Sequence, residues 1–290
     1  MLIEELARAK VNFTLQVSGR RPDGYHALAS VVAFASAADV VTLDTGRPHA
    51  IEVTGPFAPK LASEYLIERT LKTLQSRHPA LTLGAVYLDK RLPVAAGIGG
   101  GSADAAAVLR AVRRANPELQ AAVDWHGIAA TLGADVPVCL ANEPTFMTGI
   151  GDVLQTMPRL HEPIAAVLVN PQAIVPADKT AQVFRTLRAP DLAAEASDMP
   201  SPPHMGSISE VIDAIARLGN DLEAPATVVM PIIADVLAAL RSTPGCRTTC
   251  MSGAGPTCFA IFDDAAAAAA AASSLRHAQA GWWVEAVTLS

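Results

Sequence analysis

Between Arg91 and Ala105 the chain reads Arg-Leu-Pro-Val-Ala-Ala-Gly-Ile-Gly-Gly-Gly-Ser-Ala-Asp-Ala, with four glycines in five positions. Glycine loses the most backbone freedom on folding, and a plain left-handed helix cap needs only one. The segment before it, Ala85 to Leu92, has the apolar character of a strand, and Ala105, Val108, Leu109 and Val112 after it have helical spacing. Strand, glycines, helix is the order of a phosphate site, because glycines let the backbone approach an anion and a helix start presents free N–H groups and the positive dipole end. Ser102 is the expected N-cap, its hydroxyl free either to satisfy a first-turn N–H or to meet phosphate or Mg2+. The candidate phosphate-binding residues are Pro93, Val94, Ala95, Ala96, Gly97, Ile98, Gly99, Gly100, Gly101, Ser102 and Ala103. No lysine follows the glycines as a P-loop requires, and their spacing misses the Rossmann G-x-G-x-x-G.

A chain of 290 residues, 51% apolar and 17% charged, has material for a large core divided between two modest domains. The polar, proline-punctuated stretch Met157 to Glu162 precedes a new apolar strand, which sets the expected boundary at 1–160 and 161–290. A formal charge of -6 offers no broad basic surface and argues against nucleic acid as a partner. Four cysteines without paired C-x2-C spacing read as reduced thiols and not as a metal site; no metal-ligating residue is expected. The N-terminus MLIEELARAK carries acids where a secretory leader needs bases, and no apolar run reaches the roughly 20 residues of a membrane span. A cytoplasmic protein with no membrane partner is the expectation.

Strict alternation from Ala7 to Val17 predicts a half-buried strand, Ala7, Ala9, Val11, Phe13, Leu15 and Val17 inward and Arg8, Lys10, Asn12, Thr14 and Gln16 opposite. On periodicity alone the polar face is best read as solvated. Turn residues from Gly19 to Gly24 and the apolar run Ala29 to Phe34 predict a hairpin. Helices are predicted over 63–76, 125–132, 178–187, 208–218 and 228–241, and through the alanine run 265–272; strands over 164–169, 257–262 and 282–289. The proline- and acid-rich segment 188–207 reads as a surface excursion. Asp135, between Gly133 and Val136-Pro137, is expected on a loop.

Pro93-x3-Gly97-Ile98-Gly99-Gly100-Gly101-Ser102-Ala103-Asp104-Ala105-Ala106 resembles the ATP-binding motif of the GHMP kinases. Ala9-Lys10-Val11-Asn12 and Met251-Ser252-Gly253-Ala254-Gly255-Pro256-Thr257 are similar to that family's first and third motifs, and the three occur in its order. The resemblance implies an α+β fold of two domains, a ribosomal-protein-S5-like N-terminal domain and a ferredoxin-like C-terminal domain. It implies ATP and Mg2+ as cofactors and a small-molecule alcohol as the acceptor.

Lys10 is then the expected cation near the transferring phosphoryl group, Asp135 the base that takes the hydroxyl proton, and Asn12 a hydrogen-bonding positioner. Gly19-Arg20-Arg21-Pro22-Asp23-Gly24-Tyr25-His26 and Leu132-Gly133-Ala134-Asp135-Val136-Pro137 are similar to the subfamily whose acceptor is a cytidyl diphosphate sugar alcohol. An exposed Tyr25 beside His26 suits stacking and edge recognition of a base. Phe184 is a candidate second ring, and its spacing with Leu187 suits core packing equally. A homoserine- or mevalonate-type kinase, or an inactive nucleotide-binding regulator, is the alternative. Ala95-Ala96 stands where the family more often has glycine.

Overall fold

The alternation from Ala7 to Val17 belongs to a longer strand, β1 (Leu2–Arg20), in the protein's structure, a computed structural model that describes residues 1–60, 66–159, 162–191 and 201–290. Both faces of its middle, Ala9 to Leu15, are buried, so the polar face is not the solvated one that periodicity favours. Apart from Asn12 Oδ1, the polar side chains of this stretch are partnered. Lys10 is ion-paired, Asn12 bonds Ser30, and Thr14 Oγ1 accepts the Val31 N–H at 3.3 Å.

Contacts divide the chain into two units, neither continuous in sequence. The first comprises Met1–Lys10, Ala37–Val94 and Gly99–Asn142, the second Val11–Ser36, Ala95–Ile98 and Glu143–Ser290. The expected boundary between 160 and 161 lies outside the described residues, as do residues 192–200 of the expected excursion and 61–65 before the first helix.

β1 pairs with β2 (His26–Asp44), as the hairpin signal requires; the ends of both strands nearest the turn belong to the second unit and their far ends to the first. The end of β2 runs antiparallel to β4 (Ala85–Asp89), which is parallel to β3 (Ala50–Thr54), a short strand not foreseen. Helix α2 (Gly100–Ala115) packs on α1 (Leu66–Arg77), α3 (Trp125–Leu132) and α4 (Val136–Ala141). Its alanines are explained by that crowding, since nearly every position from Ala103 to Val112 is buried and only small side chains let three helices approach.

Two expectations are corrected here. Ser102 is not the N-cap; Gly99 is, at φ 64°, so α2 begins at Gly100 and Ser102 lies in its first turn. A left-handed residue is what turns the chain into the helix, and glycine adopts it without strain. Asp135 is not on a loop but at the N-cap of α4, with Pro137 in the first turn. There the missing proline N–H leaves no bond unmade, so Pro137 is accommodated in the first turn and Asp135 begins a helix.

In the second unit β7 (Ile164–Asn170), β8 (Cys246–Met251), β9 (Cys258–Phe262) and β10 (Trp283–Leu289) lie in the order β10-β7-β9-β8, every pair antiparallel. This is the ferredoxin-like arrangement. β5 (Thr145–Thr148) pairs with β6 (Val153–Thr156) and with the first part of β2. The helices are α5 (Lys179–Leu187), α6 (Ile208–Leu218), α7 (Glu223–Val229), α8 (Ile232–Ser242) and α9 (Ala265–Ala278). The helix expected over 228–241 is two pieces, because Pro231 cannot continue α7 and serves as N-cap of α8. Val167, Val169, Ile233, Val236, Leu240 and Ala272 form the centre of this unit's core. Among the described residues no helix is long and apolar enough to cross a membrane.

Leu168 is fully buried on β7 between Glu285 of β10 and Phe259 of β9. Leu168→Ala is expected to cost about 2–5 kcal/mol in urea unfolding, the range for deleting a packed leucine.

Candidate active site

The first unit brings Lys10 and Asp135, 125 residues apart in sequence, into contact: Lys10 Nζ donates to Asp135 Oδ1 at 2.9 Å. Lys10 comes from the buried stretch of β1 and its side chain is 6% exposed, whereas that of Asp135 is 39% exposed. Asp135 stands at a helix N-cap yet makes no side-chain capping bond. Its carboxylate is thereby left to the lysine on one oxygen and to solvent or a ligand on the other.

Gly99 completes this corner. A Cβ there would lie 3.3 Å from Lys10 Cβ and 3.4 Å from Cε, and φ is left-handed, so any side chain would strain the backbone and displace the lysine. The N–H groups that follow, of Gly100, Gly101 and Ser102, have no partner inside α2. At Gly101 a Cβ would meet nothing within 4 Å, so the first turn is open on that side. An ammonium, a carboxylate and a helix start with free donors thus occupy one end of the unit. That set can hold an anion and take a proton from a neighbouring hydroxyl.

Beneath the same turn lies a buried ion cluster that sequence reasoning did not assign. Lys90 Nζ donates to Asp39 Oδ2 at 2.5 Å and to Asp104 Oδ2 at 2.6 Å, and the N–H groups of Arg91 and Leu92 donate to Asp39 Oδ1 at 2.6 and 2.7 Å. A Cβ on Gly100 would sit 3.3 Å from Lys90 Nζ. One cation between two carboxylates leaves a surplus charge. Burial pushes Asp104 up to about 8, Asp39 adds to that and Lys90 opposes it. Burial also works against charge on Lys90, but Asp104 and Asp39 outweigh it and its pKa rises. Asp104 Oδ1 has no hydrogen-bond partner while Asp39 accepts three N–H donors, so Asp104 is the carboxyl that takes the proton.

The second unit holds the remaining candidates. Asn12 Nδ2 donates to Ser30 Oγ at 2.7 Å, and Ser30 spends its own hydrogen on Thr14 O at 2.6 Å. Ser30 can therefore only accept from Asn12, which fixes the amide and leaves Asn12 Oδ1 buried without a partner. An orphaned buried acceptor is what a ligand donor would satisfy. The Asn12 N–H donates to Ser252 Oγ at 3.1 Å, Ser252 Oγ donates to Gly97 O at 3.0 Å, and Thr257 N–H donates to Ala96 O at 3.1 Å. Loop 252–257 thus holds residues 96 and 97, and Gly97 has no room for a side chain: a Cβ would stand 2.6 Å from Gly255 O. Ala95 is left-handed at φ 55°, a conformation that costs a non-glycine residue about 1–2 kcal/mol.

His26 and Phe184 stack with ring centroids 4.6 Å apart and planes at 25°. Phe184 also packs on the core with Leu187, the packing that its helical spacing suits. Tyr25 is 61% exposed beside them in sequence, its N–H donating to Asp23 Oδ1 at 3.1 Å. Burial, helped by the Arg20 charge, lowers the His26 pKa, so the imidazole is neutral at pH 7. Among the described residues no group of three or more His, Cys, Asp or Glu side chains is arranged to hold a metal.

Residues 65–143 match the GHMP kinases N terminal domain and residues 192–280 the GHMP kinases C terminal. The chain is 47% identical to the 4-diphosphocytidyl-2-C-methyl-D-erythritol kinase of Rhodopseudomonas palustris, over 99% of this chain and 98% of that one. It is 48% identical to the protein of the same name from Methylobacterium radiotolerans, over 98% and 97%. A crystal structure of 4-(cytidine 5'-diphospho)-2C-methyl-D-erythritol kinase superposes with TM-score 0.77 at 33% identity over 99% of both chains. Homoserine kinase from Cytophaga hutchinsonii shares the fold at TM-score 0.66 and 17% identity, over 99% of this chain and 95% of that one.

An acid whose pKa is raised on folding penalises the folded state increasingly as pH climbs from the ordinary carboxylate range towards the raised value. The melting temperature of the wild-type protein is therefore expected to fall relative to Asp104→Asn between about pH 5 and pH 8, with the two converging at the acid end.

Proposed function

We propose, since the chain belongs to the GHMP kinases, that it transfers the γ-phosphate of ATP to the 2-hydroxyl of 4-diphosphocytidyl-2-C-methyl-D-erythritol, a step of the non-mevalonate route to isoprenoid precursors. The observation that carries this reading is the Lys10–Asp135 pair set against Gly99 at the open start of α2. Asp135 accepts the proton of the attacking hydroxyl as its oxygen bonds the γ-phosphorus and the bond to the bridging oxygen of ADP breaks. Lys10 orients the carboxylate and offsets negative charge on the transferring oxygens. The first-turn N–H groups of Gly100, Gly101 and Ser102 would hold phosphate oxygens, with residues 93–98 leading the backbone to them and Ala103 closing the turn.

Bound ATP supplies the phosphoryl group, and Mg2+ would supply further charge neutralisation there. With no ready-made cluster of ligands among the described residues, the metal is proposed to be held mainly by the nucleotide. Asn12 Oδ1, buried and unpartnered, would accept a hydrogen bond from the acceptor substrate. Tyr25, His26 and Phe184 are proposed as the cytosine site, Tyr25 and Phe184 by stacking and neutral His26 through its ring nitrogens. The proposed domain division after residue 160 is supported by family matches that fall on either side of it. Action in the cytoplasm is part of the same reading, supported by the free state of Cys139, Cys246, Cys250 and Cys258.

ADP release with ATP, Mg2+ and the cytidyl substrate is expected, with none above background on homoserine or mevalonate. Asp135→Ala should lower kcat by about 10²–10⁴, the usual contribution of a general base. Turnover of homoserine or mevalonate instead would overturn the substrate, and an undiminished Asp135→Ala would overturn the base. Tyr25→Ala should raise KM for the cytidyl substrate and leave KM for ATP unchanged.

A further inference from the structure

Lys179, the first residue of α5, runs against what helices and interiors favour. The residue is 5% exposed, and its cation stands at the positive end of a helix dipole. Among the described residues no carboxylate pairs with it. Asp178 beside it is exposed and gives its oxygens to Gln182 and Arg185. Burial accordingly pulls the Lys179 pKa down to about 8.

Its acceptors are two backbone carbonyls of the second unit, Gly255 O and, at 3.5 Å, Ala95 O. Both belong to left-handed residues, Gly255 at φ 70° and Ala95 at φ 55°. Ala95 has this conformation without being glycine, and it opens the stretch 95–98 that runs directly into the first turn of α2. The other bonds to this stretch, from Thr257 to Ala96 O and from Ser252 to Gly97 O, leave the Ala95 carbonyl to the lysine. A left-handed alanine and a buried cation thus meet at one carbonyl.

We propose that Lys179 is a positioning residue of the phosphate loop: its ammonium clamps the Ala95 and Gly255 carbonyls together and so sets the path of residues 95–98 into the anion-binding turn. The clamp acts on nucleotide binding and not on the chemical step. The inference rests on the kinase reading above, since it presumes that ATP phosphates bind where that path ends.

The test compares Lys179→Met with wild type in steady-state kinetics and in calorimetric titration with ATP, with circular dichroism as the check on folding. Expected are a KM and Kd for ATP raised at least fivefold, kcat within about twofold, and an unchanged KM for the cytidyl substrate, with Lys179→Arg restoring part of the ATP affinity. ATP affinity within twofold of wild type overturns the proposal. So does a parallel loss of kcat and of affinity for both substrates together with a lowered melting temperature, the pattern of a lysine that only supports the fold. Should Lys179→Met not fold, Lys179→Gln, which keeps a donor, is expected to give the same split at threefold or more. Failure of both to fold would also make the residue structural. Wild type that binds ATP but turns over no alcohol would sink the kinase reading alone, and the calorimetric comparison would still decide the clamp.

Discussion

The account depends on one ion pair, Lys10 with Asp135. A lysine side chain this deeply covered is tolerable because a carboxylate meets it at 2.9 Å, and that carboxylate is available because it caps nothing. Everything else at this end of the first unit follows from making room for the pair. Gly99 must be glycine because its missing side chain is the space that Lys10 fills, and its left-handed backbone then starts α2. The lysine, the carboxylate and the anion-binding turn are consequently placed by the same few backbone angles.

Below that turn the buried cluster of Lys90, Asp39 and Asp104 is a second constraint of the same kind. Desolvation makes each charge costly alone, so the three groups fix one another and, through Gly100 and the N–H groups of Arg91 and Leu92, fix the strand-to-helix junction. In the second unit the equivalent work is done by neutral groups. Asn220 Nδ2 donates to Met251 O at 2.7 Å and Gly253 O at 2.8 Å, Ser252 bridges Asn12 and Gly97, and the loop carrying the third motif is held by side chains from distant elements.

What was legible in the sequence was whatever has a local cause. Period-two alternation gave β1, turn residues and a second apolar run gave the hairpin, Gly133 marked the end of α3, helical spacing gave α5 and α6, and the density of glycines marked the turn before α2. The boundaries went astray where a single residue has two uses. Ser102 looks like a cap, but Gly99 reaches the left-handed conformation first, and Pro137 looks like a breaker although the first helical turn accepts it. β3, β5, β6 and β8 are strands of four to six residues whose pairing is decided by distant partners and not by their own pattern. The buried state of Lys10 was invisible for the same reason, since alternation reports which residues share a face and not whether that face is covered. Asp39, Lys90 and Lys179 carried no motif. Lys90 stands in the charged triplet Asp89-Lys90-Arg91, and nothing in the sequence marks its middle member as the buried one.

The central claim is that Lys10 and Asp135 act as a unit, and a double-mutant cycle on kcat with ATP and the cytidyl substrate tests it most directly. If the pair works through its contact, Lys10→Met combined with Asp135→Asn will be no slower, within about threefold, than the worse of the two single variants. Losses that multiply, so that the double variant falls by the product of the single effects, would mean that the two residues act independently and would contradict the account.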